Sequence, residues 1–167
     1  MLRRIVSLCF TLVAVLLAGC STPPYVYHYV QGRTAIVRDG CAIAPQGAPE
    51  DVKTAIAAGN RIAGLPYRWG GGHGCSVDTA YDCSGAASFV LLSIGRLNEP
   101  TTARALRDYG AGGAGEWISI YARRDHVFLV VAGLRFDTGW GNGARGPHWT
   151  TASRSTDGCV VRHPDGL

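Results

Sequence analysis

Asp82-Cys83-Ser84-Gly85 joins a segment that no regular element tolerates to one that has to be buried. Upstream, Pro66-Tyr67-Arg68-Trp69-Gly70-Gly71-Gly72-His73 carries three glycines in a row and reads as a loop. Downstream, Ala86, Ala87, Phe89, Val90, Leu91, Leu92 and Ile94 form an apolar run that ends at Gly95, as expected of a core helix. Cys83 then falls in the first turn of that helix, where unpaired backbone N–H groups and the helix dipole favour an anion. A thiol so placed is expected to ionise more readily than free cysteine and to act as a nucleophile. Burial as an inert packing residue is the ordinary alternative for a cysteine. The neighbouring Asp82 and Ser84 and the glycine-rich approach, which lets backbone come close to a ligand, favour the nucleophile.

The N-terminus bears on where such a chemistry would operate. Arg3 and Arg4 precede an apolar run from Ile5 to Leu17, followed by Leu17-Ala18-Gly19-Cys20. A charged start, a short apolar stretch and small residues before a cut form an export signal. The ending resembles a bacterial lipobox, which implies a signal over 1–19 and an acylated Cys20 as the mature N-terminus, held at a membrane surface. Ser21 after that cysteine resembles outer-membrane sorting, should the host have two membranes. Residues 20–47 are expected to be a tether and N-terminal arm, and 48–167 a single domain. Losing Arg3 and Arg4 leaves 14 basic against 12 acidic residues, a net charge of +2 that gives no case for nucleic acid.

Six cysteines divide by expected role. Cys9 leaves with the signal, Cys20 carries lipid and Cys83 is the nucleophile. Cys41, Cys75 and Cys159 remain, and an exported compartment allows one bridge among them without choosing the pair. No CxxC, HExxH or HxxxH spacing is present, so no metal is expected.

Along the rest of the chain, Tyr25 to Tyr29 and Arg33 to Arg38 read as short strands or an extended arm, with a turn at Asp39-Gly40. Pro49-Glu50-Asp51 opens a helix with an apolar face at Val52, Ala55, Ile56 and Ile62. A short helix is expected over 101–109, then a flexible glycine stretch over 110–115. Strands are expected at 117–121, 126–131, 135–138 and 158–162, the second and third joined by a hairpin through Ala132-Gly133-Leu134. Gly139 to Pro147 reads as a glycine-rich loop. Helices followed by antiparallel strands is an α+β pattern.

Tyr67-Arg68-Trp69-Gly70-Gly71, then Asp82-Cys83-Ser84-Gly85, then His126-Val127 at a strand start resemble the NlpC/P60 family of bacterial cell-wall cysteine peptidases. The resemblance runs from about Val52 to Val161. It implies a papain-like core, with the nucleophile helix packed on an antiparallel sheet. It also implies a lipid-anchored peptidoglycan hydrolase that cleaves stem-peptide amide bonds, typically γ-D-glutamyl-diaminopimelate, through a thioester and with no cofactor. Cys83 would be the nucleophile and His126 the base. Tyr67, with the Cys83 backbone N–H, would stabilise an oxyanion. Ser84 and, more remotely, His148 are candidate substrate contacts.

The family's third polar residue, often His, lies about twelve positions after the catalytic His. Here that spacing gives Thr138, while Asp137 beside it is the better acceptor for an imidazole N–H. Alternate strand residues face opposite sides, so one of the two can serve. His73 and 74–80 lengthen the loop before Cys83, either reshaping the mouth of a cleft or pinned through Cys75. Two other functions stay open: a non-catalytic cell-wall-binding lipoprotein, and another amidase or an acyltransferase on the same core.

Overall fold

The structure is a computed structural model that describes residues 22–74, 77–139 and 145–167. The export signal, Cys20 and Cys75 lie outside the described residues.

A two-stranded hairpin comes first, β1 (Ile36–Arg38) and β2 (Cys41–Ile43). Asp39 and Gly40 have φ of 51° and 80°, the two left-handed positions that the tightest hairpin turn requires. Helix α1 (Glu50–Ile62) follows, with Glu50 and Asp51 in its first turn and Arg61 in its last, both signs complementing the helix dipole. Helix α2 (Cys83–Ser93) is apolar on nearly every side and buries Ala86, Ala87, Val90 and Leu91. Burying Val90 and Leu91 alone contributes about 1.5–3 kcal/mol each. Between 101 and 109 the expected helix is shorter and tighter, a 3-10 turn at Ala105–Asp108.

Six strands then form one antiparallel sheet: β3 (Ala111–Gly112), β4 (Ile118–Ala122), β5 (Val127–Val131), β6 (Leu134–Asp137), β7 (His148–Thr150) and β8 (Val160–His163). Their order is β3-β8-β4-β5-β6-β7. Two strands depart from expectation. The glycine stretch 110–115, expected to be flexible, contributes β3, which pairs with the end of β8. His148 and Trp149, for which no strand was expected, belong to β7, paired with β6. Both strands are too short to show an alternating pattern in the sequence.

Register and alternation assign the two faces of the sheet. Ile120, Leu129 and Phe136 line up across β4, β5 and β6 and share one face with Val127, Val131 and Leu134. This face is buried, with α2 against β5 and α1 against β5 and β7. Gly59 of α1 lies on the Trp149 indole, where any Cβ would collide.

The opposite face carries Phe128, Arg135 and Asp137, and the N-terminal arm covers it. The expected strand at 25–29 reduces to one bridge, with Tyr25 and Arg154 exchanging backbone hydrogen bonds of 2.9 and 3.0 Å. The Tyr25 ring meets Phe128 edge-on at 6.4 Å, and its hydroxyl donates to the Gly133 carbonyl at 3.0 Å. Thr156 Oγ1 lies 2.8 Å from the carbonyls of both Thr22 and Pro23, which fastens the start of the arm. Among the described residues no helix is long and apolar enough to cross a membrane.

Candidate active site

Asp82 caps α2 and organises everything around Cys83. Its Oδ1 accepts from the Gly85 N–H at 2.7 Å and from Ser84 Oγ at 3.1 Å, and lies 3.1 Å from His73 Nε2. Its Oδ2 accepts from the Gly70 N–H at 2.9 Å. The glycine loop is thereby tied to the helix start. Tyr67 and Tyr81 bridge in parallel, and the Asp82 N–H donates to the Gly71 carbonyl at 3.1 Å. Contact is so close at Gly85 that a Cβ would overlap the Gly71 carbonyl. Gly71, Gly72 and Gly85 are thus one packing requirement beside the thiol, while Gly70 has open space around it and is needed for its φ of 73°.

The inserted segment is held by Asp78. Its carboxylate accepts from the N–H groups of Gly72 (3.0 Å) and Thr79 (2.7 Å) and from the Arg68 guanidinium (2.6 Å). These hydrogen bonds hold the carboxyl down to about 2. His73 reaches inward to Asp82 and Ser84, a role that its place in a glycine loop did not signal. Ser84, in the wall of the cleft, hydrogen-bonds through its hydroxyl to the capping carboxylate.

Cys83 begins α2, and the backbone N–H groups of Val127 and Ser84 point at its sulfur and favour the thiolate. Burial outweighs them and pushes the thiol above the ordinary cysteine range, assisted by the negative charges of Asp82 and Asp137. The expectation of an easily ionised thiol at a helix N-terminus is therefore corrected. The helix end does supply a donor, but the site is too enclosed, and too acidic in its surroundings, for that to win. Tyr67 is half-buried, and its hydroxyl is raised first by burial and then by the charges of Cys83 and Asp82, which places it in the same electrostatic neighbourhood.

His126 immediately precedes β5, next to the Val127 N–H that faces the sulfur, and is 5% exposed. Its Nε2 donates to Asp137 Oδ1 at 2.8 Å, leaving Nδ1 as the basic ring nitrogen. Of the two positions the sequence left open, Asp137 meets the imidazole. Thr138 Oγ1 is buried and has no hydrogen-bond partner among the described residues, while the Thr138 backbone N–H donates to Asp137 Oδ1 at 2.8 Å. The other carboxylate oxygen of Asp137 pairs with Arg135 Nη1 and lies 3.7 Å from Arg154 Nε. The sequence reading overlooked both arginines. Spacing i, i+2 on one strand was the available signal for Arg135, whereas Arg154 arrives from a distant loop.

A cleft of about 380 Å³ opens over the sulfur, walled by Trp69, His73, Cys83, Thr102, Arg124 and Asp125. Trp69 stands 83% exposed at its rim. His148 lies elsewhere. Its Nδ1 donates to the Gly146 carbonyl at 2.9 Å, and it borders a separate cavity with Cys41, Leu65 and Trp149. It is not part of the cleft. Cys41 and Cys159 are free thiols. Among the described residues no group of three or more His, Cys, Asp or Glu side chains could hold a metal ion.

Fold and site together give an α+β protein in which a helix-borne thiol lines a cleft, Tyr67 and Asp137 share its electrostatic neighbourhood, and His126 is paired with Asp137. No protein-family model matches the chain, and no curated protein matches it in sequence.

Proposed function

We propose that this protein is a cysteine peptidase of the NlpC/P60 kind that hydrolyses amide bonds in peptidoglycan stem peptides, γ-D-glutamyl-diaminopimelate being the favoured bond. The observation that carries the reading is the Cys83 thiol in the wall of an open cleft, with the Val127 N–H favouring its thiolate and the buried His126–Asp137 pair beside Val127. The resting thiol is neutral, so His126 acts as general base. It takes the sulfhydryl proton on Nδ1 as the sulfur attacks the carbonyl carbon. The Cys83 N–H and the Tyr67 hydroxyl bind the developing oxyanion in this reading, which the shared electrostatic neighbourhood of Tyr67 and Cys83 supports. Collapse breaks the C–N bond, the imidazolium returns its proton to the leaving amine, and water then hydrolyses the thioester. Leu17-Ala18-Gly19-Cys20 supports export and acylation of Cys20, with the enzyme held at the outer membrane of a two-membrane host or at the cell surface otherwise.

The test is digestion of purified sacculi with mass analysis of the released fragments. Wild type should release fragments with a new D-glutamate γ-carboxyl, and Cys83→Ala and His126→Ala should each lose about 10³-fold or more of the rate. An intact sacculus after prolonged incubation with wild type would reject hydrolysis. Chain material from cells should carry acyl mass on Cys20 and partition with membranes, and a Cys20→Ala variant that partitions identically would reject the anchor.

A further inference from the structure

We propose that Arg135 is a positioning residue of this site: its guanidinium fixes the plane of the Asp137 carboxylate and cancels its charge beside His126. The inference rests on the reading that Cys83 and His126 are the reacting pair.

The geometry separates the two oxygens of Asp137 by task. Oδ1 receives His126 Nε2 and the Thr138 N–H, while Oδ2 receives Arg135. A carboxylate gripped on both oxygens cannot rotate, so the imidazole it holds is fixed in ring orientation and in tautomer. Arg135 and Asp137 project from the same face of β6, two residues apart, and strand geometry leaves little play between them. The guanidinium is itself fixed, with its carbon 5.8 Å from the Phe128 ring centre. Tyr25, which also packs on Phe128, feels its charge from the arm.

Burial argues against a purely structural ion pair. The Asp137 side chain is 0% exposed and that of Arg135 is 7% exposed. A buried ion pair is weak evidence for stability, because apolar residues of similar volume often serve as well or better. What apolar residues could not do is hold His126. An unpaired Asp137 would hold it too, but with a full negative charge that tightens proton binding throughout the site. His148 stands opposite Asp137 across β6 and β7, with its Nδ1 turned to the Gly146 carbonyl. Other charged or titratable groups face this pair from neighbouring elements. Arg154 and Cys159 come from the segment between β7 and β8, Cys83 from α2, and Tyr25 from the arm. Arg154 is farther from Asp137 than Arg135 and more exposed, so Arg135 is the principal counter-charge.

The experiment is a charge cycle read by alkylation of Cys83 with iodoacetamide against pH, using the full chain and following the mass of the Cys83 peptide, since Cys41 and Cys159 are also free to react. Arg135→Gln makes the pair net negative and should move the alkylation midpoint up by about one pH unit. Asp137→Asn makes it net positive and should move the midpoint down. Arg135→Gln with Asp137→Asn restores neutrality and should return the midpoint close to wild type. Arg135→Lys, which keeps the charge, should stay near wild type in midpoint while reacting more slowly. Should Arg135→Gln fail to fold, the step from Asp137→Asn to the double variant isolates the same charge. Midpoints that do not follow the sign of the pair would overturn the proposal. Iodoacetamide needs no peptidoglycan, so midpoints that do follow it would stand even if sacculi are untouched.

Discussion

Replacing Asp82 with alanine removes the hub through which the glycine loop and the Cys83 helix are joined. Loss of an N-cap costs about 1 kcal/mol. That figure covers the Gly85 N–H, which is the group capped. The Ser84 hydroxyl also loses its Asp82 acceptor in a buried setting, which adds about 1 kcal/mol at the low end of the range. Gly70 is exposed, so its N–H can turn to water and adds little. The sum is about 2 kcal/mol. For a domain of this size that corresponds to a fall in Tm of about 4–8 °C. Asp82→Asn should cost about 1 kcal/mol. Asparagine caps as well as aspartate, but it turns one acceptor into a donor facing an N–H. Thermal unfolding followed by circular dichroism, with urea titration as a check on the slope, orders the three proteins. An Asp82→Ala variant melting within about 1 °C of wild type would show that the cap is redundant and refute the reasoning.

Two further outcomes follow from the same geometry. Because burial raises the Cys83 thiol, its alkylation by iodoacetamide in wild type should have a midpoint above the free-cysteine value of about 8.5, and a midpoint at or below that value would show that the helix end outweighs burial. The sign carries over to stability. The folded chain holds this proton more tightly than the unfolded one, so the thiol's contribution to stability falls as pH rises from the unfolded value to the raised one. Thr138→Val should leave sacculus turnover within about twofold and stability unchanged or slightly improved, since the hydroxyl is buried without a partner among the described residues; a loss of tenfold or more would return the orienting role to Thr138.

The parts of this molecule that were legible in the sequence are those governed by local pattern. The apolar run after Cys83, the acidic first turn of α1, the Asp39-Gly40 turn and the long strands β4 and β5 each satisfy a rule that operates within a few residues. The strands that escaped, β3 and β7, are two and three residues long and exist because a neighbour's edge is available to pair with them. Disposition of the thiol's proton escaped for a related reason. The effect of a helix N-terminus can be read from sequence, but the burial that overrides it depends on how tightly the glycine loop closes over the helix start.

The choice between Asp137 and Thr138 turned on which sheet face holds the imidazole. Thr138 continues the series Leu134, Phe136, Thr138 toward the helices, and a spacing rule taken from strands alone selects it. His126, however, stands just before β5 rather than within it, and its ring reaches the carboxylate on the face that the helices leave uncovered. That face is occupied by Arg135, by Arg154 and by the arm whose Tyr25 backbone pairs with Arg154. The polar support of the His126–Asp137 pair therefore lies behind the sheet, under the segment that follows the proposed lipid anchor. An acceptor placed there needs a cation to share its burial, which accounts for aspartate standing with arginine on this face.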